Sequence, residues 1–217
     1  MRYLQRLCPI AAAILITVSA TNGQTPNSIE FNEAAFAARV EEMQSDTAVP
    51  GLAVAVMQDG VVLHLKGYGI AGPDGRPATA QTSFRTGSIS KSFTALVILQ
   101  LAAERKLDLD DPVVKHIPTF RTVDKAVSDR ITIDHLVTHH SGLTTLAGNR
   151  HHAPADRDGE GPKDVVADLA FEELAADPGS IFQYSNANYV ILTHLIELLD
   201  GQPFEQALAS RIFDLSA

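Results

Sequence analysis

The chain is poor in sulfur and has no tryptophan: its 217 residues include one cysteine, Cys8, and three methionines. A single cysteine excludes an internal disulfide. Basic residues are also scarce, with 17 Lys and Arg against 26 Asp and Glu and a formal net charge of −9. Binding to a nucleic-acid backbone requires clustered positive charge, so we expect no nucleic-acid partner.

The first twenty residues have the pattern of a cleavable export signal. Arg2 and Arg6 precede a mostly apolar run, and the small-residue triplet that ends at Ala20 is typical of a cleavage site. The run is too short to span a bilayer comfortably, since that takes about 20 apolar residues. We therefore predict a signal peptide at 1–20, a linker at 21–30, and a periplasmic or secreted protein with no membrane span in the mature chain.

Hydrophobic patterning in the rest of the chain indicates one hairpin and several helices. Apolar, β-branched runs at 52–57 and 61–68 flank an Asp-Gly dipeptide that is typical of a hairpin turn. Two strands alone do not make a stable sheet, so the pattern predicts an α+β fold whose antiparallel sheet needs further strands. Helices are predicted where apolar residues recur at helical spacing: 33–44, 92–105, 133–140, 163–174, 188–199 and 204–213.

The candidate nucleophile is Ser88, which forms an S-x-x-K tetrad with Lys91. The tetrad lies where a Gly-containing loop enters an apolar helix, so the two side chains are expected one turn apart on the same face. A serine hydroxyl is a weak nucleophile until a base takes its proton, and a lysine in a dry pocket can lose its charge and act as that base. The alternative is that Ser88 caps the helix and Lys91 is a solvated first-turn residue.

A second short motif, Y-x-N, consists of Tyr184 and Asn186. Tyrosine can pass a proton between a serine and a leaving group, and asparagine can both donate to and accept from a substrate amide. A turn that caps the following helix is the plain structural alternative.

Together with the segment ITIDHLVTHHSGL at 131–143, these motifs resemble the β-lactamase-related serine hydrolases. That family includes class C β-lactamases, D-alanyl-D-alanine carboxypeptidases and related esterases. The resemblance implies a β-lactamase/penicillin-binding-protein-like fold and an acyl-enzyme. It implies Ser88 as nucleophile and Lys91 as its activating partner. It also implies Tyr184 as proton shuttle and Asn186 as substrate-positioning amide, with the general base left open between Lys91 and Tyr184.

A third family motif, Lys-Thr-Gly or His-x-Gly on a later strand, does not occur after Asn186 in this sequence. We therefore expect a β-lactamase-related domain at 31–217 that is incomplete, with a helical region and an N-terminal hairpin but without its C-terminal strands. Such a truncated chain would lack one oxyanion donor, a loss that typically costs about 2.7–4 kcal/mol in the transition state. Its activity is expected to be impaired.

The predicted function is a secreted serine hydrolase that forms an acyl-enzyme on Ser88 with an amide or ester substrate. That substrate would be a β-lactam, a peptidoglycan peptide or a small ester. Acyl transfer of this kind needs no cofactor, and we expect a monomer with a small-molecule or peptide substrate. One alternative is a catalytically silent protein of the same fold that binds cell-wall peptide or a β-lactam.

A metal-binding protein is the other alternative, because His135 and His139 are four residues apart and could share an ion on one helix face. No H-E-x-x-H motif is present, so a packing or surface role is favoured and no metal is predicted. The residues that could add ligands are His140, His151, His152, Asp156 and Asp158.

Overall fold

The computed structural model describes residues 30–147 and 161–214. These residues fall into two compact units, the first ending at Gly87 and the second beginning at Ser88. The predicted signal peptide lies outside the described residues, as does nearly all of the predicted linker. Within the described ranges, no helix is both long enough and apolar enough to cross a bilayer.

The first unit contains one helix and the predicted hairpin. Helix α1 spans Glu33–Thr47. Strands β1 (Gly51–Gln58) and β2 (Val61–Gly69) pair antiparallel, which confirms the hairpin. The turn residues Asp59 and Gly60 have φ values of 50° and 79°. Two successive positive φ angles are what a tight two-residue hairpin turn requires, and Asp-Gly accepts them readily.

A buried histidine ties the helix of this unit to its second strand. The His64 side chain is 2% exposed, and its Nε2 lies 2.8 Å from the Tyr68 hydroxyl. Its Nδ1 lies 3.2 Å from the Glu33 carboxylate at the start of α1. The ring of Phe36 meets the imidazole edge-on. These contacts use both ring nitrogens, so the polar atoms of a buried imidazole are satisfied.

The second unit is helical. A 3₁₀ turn at Gly87–Ile89 leads into α2, a second 3₁₀ turn at Leu169–Phe171 follows α6, and a π-helix at Ala209–Phe213 follows α8. The α-helices of this unit are α2 Ser90–Ala103, α3 Val113–His116, α4 Lys125–Ser128, α5 Ile133–Val137, α6 Pro162–Asp168, α7 Asn186–Asp200 and α8 Phe204–Leu208.

Helix α7 carries the centre of the hydrophobic core in this unit. Its fully buried side chains recur at helical spacing and pack with buried residues of α2 and of the segment before α5. Gly201, with a φ of 64°, ends α7 in the left-handed conformation that glycine adopts without strain. The buried apolar residues of α7 are Ile191, Leu192, Leu195 and Ile196.

Several predicted helices end before their patterns indicate. The helix predicted over 163–174 ends at Asp168 and is followed by a 3₁₀ turn to Phe171. Another such difference shapes the site described below. The prediction of a helix over 133–140 is wrong at its end, because α5 stops at Val137 and His139 has a φ of 60°. Gly142 follows with a φ of 82°, and a Cβ at that residue would collide with the carbonyl oxygen of Ala176. The chain therefore turns sharply after α5, and the side chains of 139–142 do not continue a helix face.

We predict that Leu192→Ala destabilises the protein far more than Leu198→Ala does. Both leucines lie on α7, but the Leu192 side chain is fully buried whereas Leu198 is 50% exposed. A buried Leu→Ala change leaves a cavity and costs about 2–5 kcal/mol of unfolding free energy. Urea denaturation of the two variants measures this difference. Equal losses would contradict the placement of α7 in the core.

Candidate active site

The four side chains predicted from the two motifs lie together in the second unit. The Ser88 Oγ is 2.7 Å from the Tyr184 hydroxyl oxygen. The Lys91 ammonium donates to Ser88 Oγ at 3.3 Å and to Asn186 Oδ1 at 2.9 Å. A continuous hydrogen-bonded path therefore runs from the tyrosine through the serine and the lysine to the asparagine.

Local helix geometry explains why Ser88 and Lys91 face each other. Ser88 sits in the 3₁₀ turn that leads into α2, and Lys91 is the second residue of that helix. The N-cap position falls on Ile89, with no side-chain capping bond. The alternative in which Ser88 caps the helix is therefore wrong. Lys91 is half-buried and bonded to two side chains, which also excludes a merely solvated lysine.

Asn186 is the first residue of α7 and is the point at which the long core helix meets the site. Its Oδ1 accepts from Lys91, so the amide is oriented by a charged donor. The backbone of the preceding Tyr184 is fixed separately, since its carbonyl oxygen accepts a 2.8 Å hydrogen bond from the Thr145 hydroxyl. The rigid helix and the loop before it thus hold the two functional groups of the Y-x-N motif.

The electrostatic environment of Tyr184 shifts its pKa in the opposite direction from that of the other described tyrosines. Burial raises the pKa of Tyr184, but hydrogen bonds with Lys91 and Ser88 and the positive charge of Lys91 together outweigh it and lower that pKa below its usual value. Burial raises the pKa of Tyr189, and so does the neighbouring Tyr184. The Lys91 ammonium lies 5.1 Å from the Tyr184 ring centroid and 5.5 Å from that of Tyr189. Tyr184 is therefore the phenol whose ionised form the site favours.

His139 packs directly against this tyrosine. The two ring centroids are 4.6 Å apart, and His139 is only 8% exposed. Its Nδ1 accepts from the backbone N–H of Ser185 at 3.2 Å and contacts Asn188 Nδ2 at 3.1 Å. Burial, followed by the charges of Lys91 and His140, lowers the pKa of His139, so the neutral imidazole is favoured.

The structure does not bring His135 and His139 onto one helix face, as the metal hypothesis requires. His135 belongs to a capping box at the start of α5, where its Nδ1 accepts the Thr132 N–H. Because α5 ends before His139, the two rings do not share a helix face. In residues 30–147 and 161–214, no group of three or more His, Cys, Asp or Glu side chains could hold a metal ion. The other candidates, His151, His152, Asp156 and Asp158, lie outside the described residues.

The sequence did not reveal the residues that position Tyr184. The sequence pattern predicts only a metal-ligating, packing or surface role for His139, and it points to neither Thr145 nor Asn188. The available signal was the run His139 to Gly142 immediately after an apolar helix, because polar residues next to a glycine indicate a sharp turn with buried hydrogen bonds. Which segment accepts those bonds depends on the tertiary fold.

The sequence is similar to a known protein family and to several of its members. The family model described as Beta-lactamase matches residues 36–216. Penicillin-binding protein 4 of Amycolatopsis lactamdurans is 30% identical over 186 residues, which are 84% of this chain and 47% of that protein. The chain thus spans about half the length of this relative, and 32% of the length of the Staphylococcus aureus protein flp, to which it is 33% identical.

Two solved structures support the fold. The octameric penicillin-binding protein homologue from Pyrococcus abyssi superposes with a TM-score of 0.74 at 29% identity, covering 85% of this chain and 43% of that one. A hydrolase with promiscuous acyltransferase activity superposes with a TM-score of 0.71 at 26% identity, covering 84% and 51%. The β-lactamase/penicillin-binding-protein-like fold predicted from the sequence is confirmed.

We predict that Tyr184 ionises at a lower pH than Tyr68 and Tyr189. Burial is the largest influence on Tyr68 as on Tyr189, and it leaves the pKa of both raised. Titration of the ¹³Cζ resonances of labelled tyrosine measures all three. Replacement Lys91→Met should raise the pKa of Tyr184, because it removes a hydrogen bond and a positive charge.

The matched control for this titration is Lys115→Met, which removes an ammonium paired with Asp111 instead. It should leave the Tyr184 titration unchanged. If Tyr184 ionised together with Tyr189, or if both lysine variants acted alike, the electrostatic account of the site would be wrong.

Proposed function

Since this chain belongs to the beta-lactamase family, we propose that it provides the nucleophile of a serine hydrolase, with an acyl-enzyme formed on Ser88. The observation that supports this most strongly is the short contact between Ser88 Oγ and the Tyr184 hydroxyl, 2.7 Å, with the Lys91 ammonium 3.3 Å from the same Oγ. A nucleophile within hydrogen-bond reach of a base, which a third group in turn orients, is the general signature of covalent catalysis.

In the proposed acylation step, Tyr184 starts as the phenolate, Ser88 Oγ attacks the substrate carbonyl carbon, and the serine proton passes to the phenolate oxygen. Tyr184 is the better placed acceptor, because its contact with Oγ is shorter than that of Lys91 and its pKa is lowered. When the tetrahedral intermediate collapses, the C–N or C–O bond breaks and Tyr184 returns the proton to the leaving group. Water then hydrolyses the Ser88 ester by the reverse proton route.

Lys91 and Asn186 take supporting roles in this proposal. The Lys91 ammonium stabilises negative charge on the tyrosine oxygen and so lowers the pKa of Tyr184. Its second hydrogen bond, to Asn186 Oδ1, fixes which way that amide points. An amide held in one orientation can position the acyl substituent of a substrate, which is the role we assign to Asn186.

The substrate class is proposed as an amide or ester: a β-lactam, a peptidoglycan peptide or a small ester. Support comes from the relatives, one of which is named a penicillin-binding protein and another a hydrolase with promiscuous acyltransferase activity.

We further propose export to the periplasm or the medium, on the basis of the signal-like pattern at 1–20. The chain spans about half the length of its relative, so the activity and substrates of the whole protein are part of this proposal.

We predict that a fluorophosphonate labels the protein on Ser88 and that Ser88→Ala abolishes the labelling. Tyr184→Phe and Lys91→Met should slow it by about 10²–10⁴-fold, the usual range for losing general acid–base assistance. Intact mass spectrometry over time gives the rates. The control is Ser92→Ala, an exposed serine of the same helix, which should label at the wild-type rate.

A chromogenic cephalosporin, a D-alanyl-D-alanine peptide and a nitrophenyl ester, compared on the same preparations, then identify the substrate class. Turnover of any of them must disappear in Ser88→Ala. A folded wild-type protein that binds these compounds but is neither labelled nor active would instead be a silent binding protein, and the proposed function would be wrong.

A further inference from the structure

His139 holds the chain on both sides of Tyr184. Its backbone carbonyl accepts the N–H of Gln183 at 2.8 Å, and its ring Nδ1 accepts the N–H of Ser185 at 3.2 Å. The imidazole also lies against the Tyr184 ring, with 4.6 Å between centroids. One residue therefore fixes the backbone before the tyrosine, the backbone after it, and one face of its ring.

This double contact depends on the unusual backbone of His139. Its φ of 60° lies in the left-handed region, which few non-glycine residues adopt. In that conformation the carbonyl and the side chain of one residue both bond to the 183–185 segment. Strained backbone that persists in a buried setting is often associated with a functional site.

A buried chain of hydrogen bonds determines the protonation state of His139. The Leu143 N–H donates to Ser141 Oγ, and the Ser141 hydroxyl donates to Asn188 Oδ1 at 2.6 Å. The Asn188 amide must therefore present its Nδ2 donor to His139 Nδ1, 3.1 Å away. Since the Ser185 N–H also points at this nitrogen, Nδ1 faces two donors and can carry no proton of its own.

We propose that His139 is a positioning residue for Tyr184, held neutral as the Nε2–H tautomer, and that its protonation at acid pH releases Tyr184 and switches acylation off. The inference rests on the proposed function of Ser88. A proton on Nδ1 would face the Ser185 and Asn188 donors, so both hydrogen bonds would break. The tyrosine segment would then lose its attachment on the Ser185 side.

The charged and titratable neighbours of His139 also affect its protonation. Lys91 of α2 and the adjacent His140 both disfavour a positive charge on the ring. Tyr184 lies against one part of the ring, and Tyr189 of α7 against another at 5.2 Å between centroids. A second positive charge beside Lys91 therefore costs free energy, and this cost confines protonation of His139 to acid pH.

The tautomer is tested on the wild-type protein by long-range ¹H–¹⁵N NMR of its histidine rings. At pH 8, His139 should show an unprotonated Nδ1 and a protonated Nε2. On acidification, its titration should be accompanied by a change in the Tyr184 ring resonances. A protonated Nδ1 at pH 8, or a His139 titration to which Tyr184 does not respond, would overturn the proposal whether or not the protein is an enzyme.

The functional link is tested by the pH dependence of fluorophosphonate labelling in Asn188→Asp. A carboxylate facing Nδ1 favours the imidazolium, so the acid midpoint of labelling should move up by about 1–3 pH units. The matched control is Asn32→Asp, which makes the same change at the N-cap of α1, where the side chain accepts the Ala35 N–H, and it should leave that midpoint unchanged. A thermal melt at pH 8 checks that both variants are folded.

The outcomes separate this inference from the proposed function. If the wild type is labelled but the Asn188→Asp midpoint does not move, the pH switch is wrong and the acyl-enzyme stands. If the wild type is labelled at no pH, the proposed function fails, and with it the switching of acylation. Should Asn188→Asp not fold, the wild-type midpoint must coincide with the NMR titration of His139, and a mismatch would overturn the proposal.

Discussion

The two hydrogen bonds of the Lys91 ammonium connect the chain segments on which the proposed chemistry depends. One bond reaches Ser88, in the 3₁₀ turn that leads into the helix of Lys91, and the other reaches Asn186, 95 residues later in the sequence. A compact cation with several donors can satisfy both oxygens at once. The same charge lies over the Tyr184 ring and favours its ionised form. Removing the ammonium would therefore disturb the nucleophile, the proton acceptor and the amide together.

Beside this centre, a buried chain of hydrogen bonds ends on the imidazole of His139. Backbone donors and the Ser141 hydroxyl point inward through Asn188 to His139. Buried polar networks are costly when partly satisfied and rigid when complete. Here the network is anchored on α7, the helix at the centre of the core, so the stability of the second unit and the geometry of the site depend on the same packed residues. Proximity and orientation of this kind supply much of the advantage of an enzyme site.

The sequence predicts those features of the structure that depend on residues close together in the chain. The hairpin followed from Asp59-Gly60 between β-branched runs, and the shared face of Ser88 and Lys91 followed from helical spacing. The contact between Ser88 and Tyr184 joins residues 96 positions apart, and only the family resemblance indicated it. The role of His139 is not predictable from the local pattern, because α5 ends at Val137 and the chain then enters a left-handed conformation. Apolar periodicity carries no information about such a turn, since the tertiary contacts of the following residues determine it.

The central claim is that Ser88 receives the acyl group. Its most direct test is a pre-steady-state experiment with a slowly hydrolysed nitrophenyl ester on the complete protein, followed by peptide mapping of the quenched enzyme. The account predicts a burst of one nitrophenolate per active site and a peptide that carries the acyl mass on Ser88. A linear release with no burst and no acylated peptide, or an acyl group mapped to another residue, would contradict it.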